Sequence, residues 1–408
     1  MTRHTQRQAI SRRTVLAATV LGAVAASTQR TALASGTAPV GGTASRRVTP
    51  VPVGDPAGLH MWKPLDLNGR GHVIGSSPDG GPTGNALVWA GGKLTTARLP
   101  ASGGEIYLEA VNDGGQLAGS HRGGPENLQT AMAWPGGAGA DPIVLETDPQ
   151  YRDSRAYYVN NRGHVVYRTS ELPARPYRAF VYDLASGART EIVPPASHTS
   201  GVYPRGFNDS GQLISSVFYE GSTYTFFWDG RTATDLTPLG ATFLKDLNAR
   251  GQVLGTHRPA EAGGYERAFL WQDGRMTDLG ALGPYDVILS NTRQPMNDLG
   301  DVIGLSGTAD GRVPFLWSEG RMTPLPTGGR QNVSPLGINN RREIAGRCSP
   351  DGTTWHACLW RNGRFTDLGT PRGFSDCQGL LVTEQGDVLA FASDQVGRRT
   401  CTFQITAT

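Results

Sequence analysis

The chain predicts an all-β fold, an eight-bladed β-propeller built from four-stranded antiparallel blades. Three observations carry this expectation. A turn motif of the form apolar-Asn-x-x-Gly recurs eight times, with successive copies 44, 48, 48, 40, 49, 42 and 44 residues apart. That period is the length of one propeller blade. An aromatic residue anchors the second half of every repeat. Glycine is abundant, at 55 residues, while charged residues make up only 18%, a balance suited to many short strands joined by tight turns.

Residues 1–34 read as an export signal. Arg12-Arg13 precedes an apolar run from Val15 to Ala26, and Ala32-Leu33-Ala34 forms a small-x-small cleavage site. The segment resembles a twin-arginine (Tat) signal peptide, so the mature protein is expected to be extracellular. The apolar run is shorter than the roughly 20 residues that span a bilayer, so no membrane embedding is expected. Five of the 38 basic residues lie in this leader, which leaves 33 against 35 acidic ones. The apparent basicity therefore belongs to the signal, and no electrostatic case for nucleic-acid binding remains.

Residues 35–46 are small and Gly-rich and read as a flexible linker. A single propeller domain then occupies 47–408. Its turn asparagines are Asn68, Asn112, Asn160, Asn208, Asn248, Asn297 and Asn339, with Thr383 in the eighth copy. An Asn side chain bonds the backbone two residues on, and a glycine three residues later takes the left-handed conformation that closes a hairpin. A residue repeated in each blade serves the blade, so these asparagines read as framework rather than as ligand or calcium sites.

The aromatic anchors are Trp89, Trp134, Tyr182, Trp228, Trp271, Trp317, Trp360 and Phe403. Their position inside apolar strands predicts that they fill the space between neighbouring sheets. The eighth repeat ends on its third strand. Residues 47–53, Arg-Val-Thr-Pro-Val-Pro-Val, align with the fourth strand of another blade, Arg321 to Pro326. They are expected to complete the last blade and close the ring, leaving no unpaired edge. Seven blades is the alternative count.

Arg267-Ala268-Phe269-Leu270-Trp271 and His356-Ala357-Cys358-Leu359-Trp360, each after an Asn turn, resemble the HAF repeats of secreted bacterial proteins. The resemblance covers about residues 47–408. Only His356 supplies the histidine of the His-Ala-Phe triplet, and Arg178 and Arg267 replace it elsewhere. The resemblance implies an extracellular repeat protein and no particular reaction.

Four cysteines, Cys348, Cys358, Cys377 and Cys401, lie in the last 61 residues. Export permits disulfides and three pairings exist. Cys348–Cys358, stapling one hairpin, is the expected pair, with Cys377–Cys401 left over. There is no Cys-x-x-Cys and no histidine at ligand spacing, so no metal site is expected; no cofactor motif occurs either.

Candidate functional residues lie where the copies differ. If residues 47–53 are outermost, the strand before each Asn lines the central channel. Side chains three and five positions before the Asn share one direction. That set holds Lys63, Tyr107, Glu109, Arg155, Tyr157, Tyr203, Arg205, Phe243, Lys245, Gln294, Ser334 and Gln378. It is rich in Arg, Lys and Tyr, and would attract an anionic small molecule or an acidic glycan. The expected function is a monomeric extracellular binding or interaction module. The alternative is a lyase-type enzyme, with Tyr203 or Tyr157 as acid or base, Glu109 assisting, and Arg155 and Arg205 neutralising a carboxylate. Lys245, Lys63 and Tyr107 would add to ligand binding. His121 and His257, each nine residues after an Asn, are expected at the loop-bearing face as further ligand contacts.

Overall fold

The computed structural model describes residues 48–407 apart from 54–60, 62, 77–85, 102, 124–127, 171–176, 199–200 and 395–399. The expected signal, the linker and Arg47 lie outside the described residues. Eight four-stranded antiparallel sheets form the blades. Seven are built from consecutive strands. The eighth joins its three C-terminal strands to Val48–Pro52, which pairs with Thr400–Ala407. The ring thus closes through the N-terminal strand, with eight blades rather than seven. Closure extends past the strand: Val53 donates its amide to the Thr402 carbonyl, and Thr402 donates to that of Met61.

The core is not central. It is a ring of eight apolar clusters, and each joins residues of two neighbouring blades. Ile74 and Val88 of blade one meet Leu108, Met132 and Trp134 of blade two, and Leu254 and Phe269 play similar parts around blade five. The anchors sit in these seams: Trp134, Trp228, Trp271, Trp360 and Phe403 are all buried. Trp134 Nε1 donates to the Arg98 carbonyl at 2.9 Å and Trp360 Nε1 to the Pro326 carbonyl at 2.7 Å. These two indoles therefore fill their seams and satisfy their one donor on the connection from the preceding blade.

The turn asparagines do more than shape their own turns. In Asn160, Oδ1 accepts from the amides of Arg162 (3.1 Å) and His164 (2.9 Å), while Nδ2 donates to the Asn208 carbonyl of the next blade at 3.1 Å. The same amide-to-carbonyl bond runs Asn68→Asn112, Asn112→Asn160, Asn208→Asn248, Asn248→Asn297, Asn297→Asn339 and Asn339→Thr383. A second row follows one residue on: the amides of Gly69, Asp113 and Asn161 donate to the side chains of Asp113, Asn161 and Asp209. Where Arg342 replaces the turn glycine, it adopts φ +61°. Its guanidinium bonds Asp301 and Glu319, which helps offset that strain.

The expected disulfides are absent. All four cysteines are buried thiols outside any disulfide. Cys348 faces His356 and Cys358 faces Gly346, so the two are diagonal rather than opposite neighbours; their thiols hydrogen-bond instead, and burial raises the Cys358 thiol. Cys377 and Cys401 share a rung but flank the strand that carries Ala392. Two strand spacings, about 10 Å, separate them, beyond the reach of an S–S bond. Among the described residues no helix is long and apolar enough to cross a membrane.

Two outcomes are expected. Asn160→Ala strands three backbone groups and should lower stability by about 2–4 kcal/mol. Asn160→Asp keeps the turn acceptor but loses the donor and sets a carboxylate against the Asn208 carbonyl, so denaturant titration should find it clearly destabilised, though less than alanine; wild-type stability in the aspartate variant would mean the interblade bond carries little. A thiol-reactive chromophore should leave the native protein largely unlabelled and report four thiols per chain after denaturation; two or none would restore the disulfides.

Candidate functional site

The first strand of each blade lines the central channel, which holds a cavity of about 360 Å³. Seven of the eight first strands carry a β-bulge at the same place. The ladder slips across Leu65, Glu109, Tyr157, Arg205, Lys245, Leu336 and Leu380, each three residues before its Asn or Thr. A bulged residue has no partner of its own, and the local alternation of side chains is lost. Residues three and two before the Asn therefore both reach the channel. The first set supplies Glu109, Tyr157, Arg205 and Lys245; the second supplies Asp66, Tyr158 and Asp246.

Blade six is the exception. Its inner strand stops at Val287–Leu289, and the chain then leaves the sheet. The Ser290 and Thr292 hydroxyls both donate to the Leu336 carbonyl of blade seven. Gln294 reaches past blade seven to blade eight, accepting from the Val382 amide at 3.0 Å and donating to its carbonyl at 3.3 Å. Arg293 points the other way. Its guanidinium lies 3.6 Å from Glu109 of blade two, diametrically opposite, and 5.4 Å from the Tyr158 ring of blade three. The side chain keeps 34% of its surface accessible, yet protein surrounds it. Burial disfavours its charge, but Asp66, Tyr158, Glu109 and Asp246 outweigh that and hold its pKa above the ordinary value.

Two groups of cations result. Arg155 and Arg293 are tied together by Glu109. Glu109 raises the Arg155 pKa against the opposing effect of burial. Arg205 and Lys245 form the other group, beside Phe243. Arg205 Nε donates to the Ser216 carbonyl at 3.0 Å and its guanidinium lies 5.0 Å from the Phe243 ring. Among the described residues, neither Arg205 nor Lys245 shares in an ion pair. Burial lowers the Lys245 pKa, Asp246 opposes the shift, and Arg205 adds to it. The cavity wall here is a like-charge pair with an aromatic neighbour and too little counter-charge, an arrangement that an anion would relieve.

At channel depth the lining holds Arg155, Arg205, Lys245 and Arg293 against Asp66, Glu109 and Asp246, one cation in excess. Three more carboxylates, Asp209, Asp298 and Glu384, rim the Asn-turn mouth, where each accepts from a neighbouring turn. Counted with the rim, the lining carries six carboxylates against four cations, so only its depth is basic and the site as a whole is far less basic than the sequence pattern alone suggests.

Of the expected catalytic group, Tyr157 and Glu109 meet in the cavity and Tyr203 does not. The inner strand of blade four is short, Pro204–Phe207, and Tyr203 precedes it. Tyr203 packs edge-on to Tyr177, with ring centroids 5.2 Å apart, and the Arg168 guanidinium lies 4.8 Å from its ring. Tyr157 is flanked by Arg155 at 5.3 Å and Arg168 at 5.5 Å. Burial still raises its phenol above the ordinary value, with both arginines opposing. It is therefore a proton donor rather than a base at neutral pH.

Other expected contacts fall elsewhere. Tyr107 donates to Glu105 at 2.5 Å and stands outside the cavity lining. His121 and His257 are buried on second strands, one step back from the channel. His121 bonds the Gly103 carbonyl in a blade-to-blade connection, and His257 bonds Asp278, at the end of the outer strand of its own blade, at 2.8 Å. Lys63 begins a strand, but its side chain lies outside the described residues.

Asp66, Tyr158, Asp246, Arg168 and Arg293 were not among the expected residues. Strict alternation conceals the first three, because the bulge cannot be seen in one sequence. Arg168 lies on a second strand. For Arg293 a signal exists: the spacing from Asn248 to Asn297, 49 residues, is the longest in the chain.

No family matches the chain, and no curated protein matches it. Solved structures that it resembles include TolB from Acinetobacter baumannii (13% identity, TM-score 0.37, covering 72% of this chain and 65% of that one). Others are acylaminoacyl peptidase of Pyrococcus horikoshii (10%, 0.45, 82% and 57%) and a Mycobacterium tuberculosis puromycin-hydrolyzing peptidase (11%, 0.48, 82% and 58%). The chain spans less than two thirds of each of these, and such distant likeness carries no argument about activity.

Lys245 gives a test of the electrostatics. Its folded pKa is lowered, so the unfolded chain binds more protons between that value and the ordinary 10.5; stability should rise with pH through this window. Lys245→Met should therefore melt above wild type at neutral pH, and the gap should narrow as pH approaches 10.5. A variant that melts lower at every pH would show that the ammonium is fully compensated.

Proposed function

We propose that this chain is an exported HAF-repeat propeller whose central channel binds a small ligand carrying one carboxylate. The twin-arginine leader and the repeat signature support export and the family resemblance. The observation that carries the ligand reading is the Arg205–Lys245 pair: two neighbouring cations in one cavity, with Phe243 beside them and no ion-pair partner among the described residues. A single excess cation at channel depth matches a monoanion. The carboxylates around the Asn-turn mouth disfavour a polyanionic chain threaded through it. A sugar acid monomer fits these limits better than a long acidic glycan. Binding is preferred over catalysis because Glu109 is committed to two arginines, Tyr157 is a poor base, and Tyr203 stands apart.

Calorimetry of the mature protein with D-glucuronate and with neutral D-glucose tests this. Glucuronate should bind, glucose should not, and Arg205→Gln with Lys245→Met should weaken glucuronate at least tenfold while preserving the fold by circular dichroism. Equal binding of both sugars, or undiminished binding by the double variant, would sink the carboxylate reading.

A further inference from the structure

The proposed ligand site explains the wall of blades four and five, but not why blade six abandons its sheet. Residues 290–294 cover the inner side of blade seven, which contributes no residue to the cavity lining. The segment is held at both ends of its reach, by two hydroxyls on the Leu336 carbonyl and by both ends of the Gln294 amide on Val382. The Gln294 carbonyl also accepts from the Ile338 amide at 3.1 Å. Blade seven is shaped to receive it. A Cβ at Gly337 would come within 2.8 Å of Gln294 Oε1 and 3.1 Å of the Leu380 carbonyl, so only glycine leaves room for the latch. From this anchored base Arg293 spans the channel to the opposite blade.

We infer that residues 290–294 are a built-in bar across the channel, which makes it a closed site and restricts the ligand to a small molecule, with Arg293 as the size-determining side chain. The inference rests on the carboxylate reading and adds a limit on ligand length. Arg293 also completes the charge balance. Its three carboxylate neighbours would repel an anion if they were left alone, and with Arg293 in place they do not. Selectivity for size and tolerance of negative charge thus come from one residue.

The test uses two monoanions of different length, D-glucuronate and a glucuronosyl xylotriose, on the mature protein. Wild type should bind the first and bind the second at least tenfold more weakly. Arg293→Ser should narrow or reverse that preference, and Gln294→Ala, which frees the latch but keeps Arg293, should narrow it less. Wild type binding both probes alike, or both variants keeping the full preference while folded, overturns the inference and leaves the carboxylate reading standing. Binding of neither probe by wild type removes the carboxylate reading and the size limit together. Hydrogen exchange supplies an arm that needs no ligand and survives a poorly folding Arg293→Ser. The Val382 amide should be protected in wild type and exchange at least tenfold faster in Gln294→Ala. Equal exchange would show that the segment is not latched, and would also overturn the inference.

Discussion

Everything in this molecule depends on one hydrogen bond repeated around a ring: the turn asparagine donating to the carbonyl of the next asparagine. A primary amide carries an acceptor and a donor on the same carbon. The acceptor organises the asparagine's own turn and the donor grips the next blade. Aspartate supplies only the first function and serine or threonine supplies it more weakly. The eighth copy shows what this means. Thr383 Oγ1 accepts from the Asp387 amide and so keeps the turn, but a hydroxyl cannot extend to blade one as an amide does. At that same junction the N-terminal strand and the Val53–Thr402–Met61 bonds join blade eight to the start of the chain. Where the asparagine bond is missing, chain closure takes its place.

The framework was legible because each of its rules is local and repeated. Asn-x-x-Gly marks a turn, an aromatic residue marks a seam, and a count of third and fourth strands gives eight blades with one strand borrowed from the other end. One part was read only halfway. The spacing assigns the asparagines to their turns, but their reach to the next blade needs a distance that a sequence does not contain. The cysteines failed for a related reason. Proximity in sequence points to pairs, but a two-residue offset in register sets Cys348 and Cys358 diagonal, and an intervening strand separates Cys377 from Cys401; neither is visible before the strands are aligned.

The channel shows the same limit more sharply. Counting by twos from the asparagine found Glu109, Tyr157, Arg155, Arg205 and Lys245, all of which line the cavity. It missed Asp66, Tyr158 and Asp246, because the bulge sends two consecutive residues inward. The omission was biased, since two of the three are carboxylates. A basic channel therefore became one with a single excess cation at depth and a rim of carboxylates. The physical lesson concerns charges in a confined space: a cation read without its neighbours looks like a binding site, while the same cation beside a bonded carboxylate is part of the wall. Arg155 belongs to the wall in this sense. Arg205 and Lys245 do not, and the depressed Lys245 pKa is the mark of that difference.

Blade six carries this reasoning one step further. A ring of equivalent blades can only make a symmetric hole, and a symmetric hole holds no orientation for an asymmetric ligand. Differing side chains on the inner strands give the lining its first asymmetry, and a blade whose backbone departs from the repeat adds a second, provided that bonds the other blades do not make stabilise it. Residues 290–294 meet both conditions. They give up ladder bonds in their own sheet and replace them on Leu336, Ile338 and Val382 of the next two blades. The glycine at 337 belongs to blade seven but makes structural sense only through Gln294 of blade six. Such a pairing across blades fixes the segment in place rather than leaving it a loose connection. It is what a repeat fold needs in order to turn a structural hole into a site with a front, a back and a length.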